Sequence, residues 1–310
     1  MRALVGPSLV VVALSLRVAL SLRVALSLRV ALSLRVALSL GALGACSALA
    51  PVSDGTSLSW GSTNRGALLD AAELPVRGEG YVVPPTWAVR DMNWGTDELV
   101  GLIVRATRRL AHDDPGVPLA VGDLSGRRGG PTAWHRSHQA GRDADLIFFA
   151  VDDGGRSAPM PATMRVFDEN GATVDGGRRY YFHTARNWEL VRALLEDPEG
   201  EVQFLFVARH LRKLLLDYAA AQAEPTDLVE RAEAVLVQPG DSLPHADHLH
   251  VRIYCPASDV ALGCRERGPL RWLKKGYKYV AERMRETLAD APPAIRPFCQ
   301  LVRAGLVAAR

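Results

Sequence analysis

The sequence predicts an α+β domain. Short apolar or alternating segments, read as strands, are separated by segments whose apolar residues recur at helical spacing. Two histidine-rich stretches lie at the ends of two of those strands. Periodicity alone does not exclude a parallel sheet.

The elements follow in order. Thr96 offers a helix cap with Asp97 and Glu98 in the first turn, and Leu99, Leu102, Ile103, Ala106 and Leu110 continue at helical spacing. Asp113-Asp114-Pro115-Gly116 ends that helix. Leu119 to Gly122 is a short apolar strand, leading through a Gly-rich loop, Gly126 to Gly130, to the first histidines. Leu146 to Val151 reads as a buried strand and Gly154 to Gly177 as a turn-rich excursion. Helices are expected over Thr184 to Glu196, about His210 to Ala221, and Thr226 to Val235, with a strand at Val202 to Val207.

The chemistry gathers in two stretches. In Pro244 to Tyr254, His245, His248 and His250 fall within six residues and run into a β-branched alternating segment. On a strand His248 and His250 share a face, close enough to share one metal or one substrate. The bland alternative is a polar strand face with two exposed histidines. The second stretch, Trp134 to Phe149, holds His135 and His138, and Asp145 seven residues after His138. Gly141 permits a sharp turn that returns His138 to the side of Asp145. Catalytic zinc takes three ligands of these types and keeps a fourth position open. His138, Asp145 and His250 supply such a set, leaving His248 beside the metal to handle protons. His112, His183 and His210 are expected at the surface or in packing, and Trp134 and Tyr254 in a cleft or in the core.

At these residues the sequence resembles the penicillin-insensitive murein endopeptidases, related to the D-alanyl-D-alanine metallopeptidases, the lysostaphin-type endopeptidases and hedgehog domains. The matching runs are Ser137 to Asp145 (Ser-His-Gln-x-Gly-x-Asp-x-Asp) and His245 to His250 (His-x-x-His-x-His), with His135 as the family's preceding histidine. The resemblance extends from about Gly61 to about Cys264, including Glu73-Leu74-Pro75 and Gly122-Asp123, and departs at Trp134, where the pattern has Gly. It implies a small central antiparallel sheet carrying a zinc site, flanked by helices. It also implies cleavage of D-alanyl-diaminopimelate bonds in cross-linked peptidoglycan stem peptides. In that scheme His248 is the general acid–base, and His245 and His135 position substrate or stabilise the oxyanion. His135 is alternatively a ligand to a second metal. Ser137 lacks any Ser-x-x-Lys context, so no serine nucleophile is implied. The other readings are a zinc D,D- or L,D-carboxypeptidase and a non-catalytic envelope protein that keeps the metal.

The flanks are read separately. Val12 to Leu40 repeats VALSLR four times and then VALSL, a pattern suiting neither a clean membrane span nor an amphipathic helix. It reads as a secretion signal stretched by repeat expansion, or as a start site placed too far upstream, with Arg35 and the apolar Val36 to Ala45 as the working part. Leu43-Gly44-Ala45-Cys46 resembles a lipobox, which makes Cys46 the lipidated first residue of a periplasmic, outer-membrane lipoprotein; ordinary cleavage nearby is the alternative. The expected organisation is a leader (1–45), a tether (46–63), the metallopeptidase domain (64–264) and a basic helical extension (265–310). The leader holds five arginines and no acid, so its removal takes the formal charge from +3 to −2, which gives no sign of a nucleic-acid partner. Cys255 and Cys264, nine apart, are the natural disulfide in an oxidising periplasm, leaving Cys299 over. The oligomeric state is not legible in the sequence.

Overall fold

The computed structural model describes residues 55–113, 116–240 and 242–268. The leader, Cys46, Cys299 and nearly all of the basic extension lie outside the described residues.

Strand β1 (Leu58–Ser62) and β2 (Arg65–Leu69) form an antiparallel hairpin. They are followed by β3 (Ala72–Glu73), β4 (Arg77–Gly78), β5 (Tyr81–Val82), the short helix α1 (Pro85–Ala88) and β6 (Trp94–Gly95). Residues 58–62, expected within the tether, are thus a strand. Leu58 and Ser59 are buried, and Ser59 N–H donates to Asp259 Oδ2 at 2.7 Å. The Gly and Ser content of Leu58–Ser62 hides a packed edge.

Helix α2 (Asp97–Asp113) begins where Thr96 Oγ1 accepts from the Leu99 N–H. Its predicted stripe, Leu99, Leu102, Ile103, Ala106 and Leu110, is buried throughout. Then come β7 (Leu119–Val121), β8 (Asp143–Ile147), β9 (Ala150–Val151), β10 (Ala172–Asp175) and β11 (Arg178–Phe182). The chain continues with α3 (Thr184–Glu196), β12 (Val202–Phe206), α4 (Arg209–Ala221), α5 (Thr226–Val235), β13 (Leu236–Val237), β14 (His248–Ile253) and α6 (Ala257–Leu262). The single strand expected over Leu146 to Val151 is two: β8 starts earlier, at Asp143, and β9 joins a separate three-stranded sheet with β10 and β11.

The domain is α+β, but its central sheet is not small. Seven strands run in the order β13-β12-β14-β8-β7-β5-β4. The middle pairs are antiparallel, whereas β12 with β13 and β5 with β7 are parallel. The additional strands β4, β5 and β13 have two residues each, too short for an alternating pattern to show in the sequence.

Alternation divides the central strands between two tasks. Leu249 and Val251 of β14, facing Leu146 and Ala144 of β8, enter the core, where α2 and α3 supply Leu102, Ile103, Trp188 and Leu194. Residues of the other parity face a cleft. The Cys255–Cys264 disulfide spans α6, just beyond β14. Gly61 N–H donates to Gly263 O at 3.1 Å, which ties that end of the chain to β1. No helix among the described residues is long and apolar enough to cross a membrane.

Candidate functional site

The register of β14 on β8 builds the site. His250 stands opposite Asp145 and Arg252 opposite Asp143, and residues two apart share a face. His248, His250, Arg252, Asp143 and Asp145 therefore project together from the centre of the sheet. Asp145 was expected where its strand begins; it sits in the middle of β8, 1% exposed.

His138 reaches the same point from the loop before β8. His138 has φ 64° and Gly141 φ 71°, so the chain turns through two left-handed residues. A Cβ on Gly141 would stand 2.6 Å from Leu68 Cδ1, which reserves the position for glycine. For His138 that conformation costs about 1–3 kcal/mol. Two hydrogen bonds hold it there: its N–H donates to Asp143 Oδ2 at 3.2 Å, and its ring Nδ1 donates to Leu124 O at 2.6 Å.

Three imidazole nitrogens converge on one oxygen. His138 Nε2, His248 Nε2 and His250 Nδ1 each lie 3.3 Å from Asp145 Oδ1. A carbonyl only accepts, so His138 Nδ1 bears a proton and its Nε2 is turned toward Asp145; burial opposes a charged His138, yet Asp145 raises its pKa. Likewise His250 Nε2 donates to Asp143 Oδ1 at 2.8 Å and leaves a lone pair on Nδ1. His138 Nε2, His250 Nδ1 and the Asp145 carboxylate thus face one another in a buried space. His138 Nε2 and both Asp145 oxygens are buried and make no hydrogen bond. They are within ion-pair distance of one another but not aligned for one. A buried carboxylate so placed needs positive charge beside it, from a protonated imidazole or from a cation. The spacing suits one small ion, since donors about 2.0–2.1 Å from zinc at tetrahedral angles stand about 3.3–3.4 Å apart. His135, His138 and Asp145, and separately His245, His248 and His250, each have donor atoms within 4.8 Å of one another and could hold a metal.

The partners beyond this set are themselves charged. Burial disfavours an ionised Asp143, but Arg252 and His250 outweigh it and hold its pKa down. Asp145 is likewise held well below the carboxylate range, against burial, by His248 and His138. His248 donates from Nδ1 to Asp247 Oδ1 at 2.8 Å. Burial opposes its charged form, yet Asp145 and Asp247 raise its pKa to about 10. Burial lowers His250 to about 4 despite Asp143, and lowers His245 to about 3, with the neighbouring His248 and His250 adding to the effect. His245 lies against Phe206, with ring centroids 5.9 Å apart. His135 stacks on His138 at 4.1 Å, and its Nε2 is 2.8 Å from Asp123 Oδ2 but 3.8 Å from Asp145 Oδ2. The same Asp123 oxygen accepts from Arg90 Nη1.

His135, His245, His248 and His250 line an open cleft of about 960 Å³, walled also by Trp134, Val166, Phe204, Phe206 and Leu243, with His138 and Asp145 buried behind them. Trp134 is exposed at its lip with the Arg90 guanidinium 4.2 Å from its ring centroid, whereas Tyr254 is buried in the core. His183 caps α3 and His210 bonds Phe167 O, both away from the cluster. The sequence reading overlooked Asp123, Asp143 and Asp247 as imidazole partners. For Asp143 the signal was present: it is two residues from Asp145, and so on the same strand face.

The family model for penicillin-insensitive murein endopeptidases matches residues 59–279. The chain is 27% identical over 224 residues to the penicillin-insensitive murein endopeptidase of Haemophilus influenzae, covering 71% of each protein. It is 26% identical over 256 residues to that of Klebsiella pneumoniae, covering 79% of this chain and 86% of the relative. The Escherichia coli protein of the same name is 25% identical over the same length.

The charge state of the cluster makes metal binding proton-linked. Burial opposes a charged His248, yet Asp145 and Asp247 raise its pKa to about 10, so a cation taken up at Asp145 competes with the His248 proton. Calorimetric titration of chelator-treated protein with zinc at pH 7, in buffers of different ionisation enthalpy, should show release of about one proton per ion. The affinity should rise about tenfold per pH unit between pH 6 and 8. Affinity independent of pH would contradict this charge assignment.

Proposed function

The chain belongs to the penicillin-insensitive murein endopeptidase family, and we propose that it is a zinc-dependent endopeptidase cutting D-alanyl-diaminopimelate cross-links in peptidoglycan. The observation that carries the reading is the convergence of three imidazole nitrogens on the buried Asp145 Oδ1, next to an open cleft that His248 and His250 line.

In this reading His138 Nε2, Asp145 and His250 Nδ1 hold the ion. Their second atoms are already fixed by Leu124 O and Asp143, which sets each ring's tautomer. When bound, zinc supplies a Lewis acid for a carbonyl and acidifies water. His248 is the general acid–base, because it sits on the strand face beside the ligands with Asp247 orienting its ring. It takes the proton from the attacking water and passes it to the leaving amine. His245, kept neutral by burial, serves as a hydrogen-bond donor to the oxygen that gains charge. His135 positions substrate from the other side, held by Asp123; service as a ligand to a second ion would require its Nε2 to leave that carboxylate. The aromatic and apolar walls exclude water around the scissile bond. A carboxypeptidase would instead release terminal D-Ala without consuming dimers, which analysis of digested muropeptides distinguishes.

The leader, the lipobox-like run before Cys46 and the family's peptidoglycan substrate support a periplasmic lipoprotein anchored in the outer membrane. Cys46→Ala should then move the protein from the membrane fraction to the soluble periplasm. Unchanged fractionation would dispose of the anchor.

The roles of the two strand histidines separate by substitution. His250→Ala removes a ligand, so zinc affinity should fall well beyond the roughly 10–100-fold typical of residues that only orient ligands. His248→Ala should keep about one zinc per chain while turnover falls roughly 10²–10⁴-fold. Elemental analysis beside muropeptide cleavage reads both. The assignment is reversed if His248→Ala loses zinc and His250→Ala retains it.

A further inference from the structure

The cleft floor contains a cationic group that the ligand and proton-transfer roles leave unused. Arg252 follows His250 by two positions on β14 and projects from the same face. Its side chain is only 16% exposed, and its Nε donates to Asp143 Oδ1 at 2.6 Å. The guanidinium carbon lies 5.1 Å from the Phe206 ring centroid. These two contacts fix the guanidinium, while its Nη1–Nη2 edge has no hydrogen bond or ion pair to a described residue. A guanidinium presents five donors in a rigid fork, and that edge matches a carboxylate.

The surroundings favour an anion. Arg252 and Arg267 line the cleft, and the carboxylate in its lining, Asp247, is already engaged by His248. Clefts lined by one sign of charge concentrate the opposite sign. Placement narrows the choice further. Two positions along a strand span about 6.6–6.8 Å, so the backbone of Arg252 stands about one residue's length along β14 from that of His250.

Resting on the reading of the site as a cross-link endopeptidase, we propose that Arg252 binds a free carboxylate on the substrate residue that supplies the leaving amine. A diaminopimelate acylated at one amine keeps a carboxylate on the same carbon, so the cross-link carries this group next to the scissile amide. Arg252 is then a specificity residue that recognises the amine-side residue by its charge. A purely structural Arg252, present only to neutralise Asp143, would give no such preference.

The test uses two synthetic cross-linked dimers, alike except that the carboxylate beside the scissile amide is free in one and a primary amide in the other. The full-length protein loaded with zinc should cleave the free acid with a kcat/KM about 10–100-fold higher, the range expected for a lost charge-assisted pair. Arg252→Gln should bring that ratio near one while about one zinc per chain is retained, and Arg252→Lys should restore part of it. A ratio near one in the unaltered protein overturns the proposal. So does an Arg252→Gln variant that slows both dimers equally or loses its zinc. If neither dimer is cleaved, the endopeptidase reading fails by itself. Calorimetric binding of the two dimers then decides the Arg252 assignment: tighter binding of the free acid supports it and equal binding overturns it.

Discussion

The pairing of β8 with β14 is the constraint on which the rest of the structure depends. It sets Asp145 against His250 and Asp143 against Arg252 at the centre of a seven-stranded sheet. Two carboxylates, at 0% and 1% exposure, would be prohibitive there if unpaired. Because strand side chains alternate, the same register that gathers the charged residues sends Leu146, Leu249 and Val251 into the core. A slip of one residue would reverse both faces at once, so hydrophobic burial itself enforces the geometry of the site.

Asp143 and Asp145 divide the electrostatic work. Asp143 is fully engaged, accepting from His250, Arg252 and the His138 backbone, and so fixes one imidazole, one guanidinium and the turn that carries His138. Asp145 is surrounded by nitrogens yet hydrogen-bonded by none. The contrast separates a carboxylate that orients its neighbours from one in a group that could hold a metal. Replacing a satisfied buried pair with apolar residues is often neutral, whereas removing one partner commonly costs about 3–5 kcal/mol. Asp143 is therefore as exposed to substitution as any ligand, although it would touch no ion.

Much of this was legible in the sequence where periods are long. Helix Thr184–Glu196 shows three turns of apolar spacing, and β14 alternates over six residues, so both follow from pattern alone. Strands β4, β5 and β13 are two residues long and carry no period. Leu58–Ser62 resembled a linker because glycine and serine can pack an edge as readily as they fill a tether. The histidines were legible as clusters and the family as a motif. The partners Asp123 and Asp247 were not, because each is selected by three-dimensional proximity to a ring nitrogen. Trp134 and Tyr254, equivalent as aromatic neighbours of the motifs, end on opposite sides of the boundary between cleft and core.

The central claim is that the Asp145 cluster is a metal centre that opens peptide cross-links. Its most direct test is incubation of the purified protein with intact peptidoglycan, with and without chelator, followed by chromatography of the muropeptides. The account predicts conversion of cross-linked dimers to monomers, abolished by chelator and restored by added zinc. Dimers that persist without chelator, or cleavage indifferent to chelator, would contradict it.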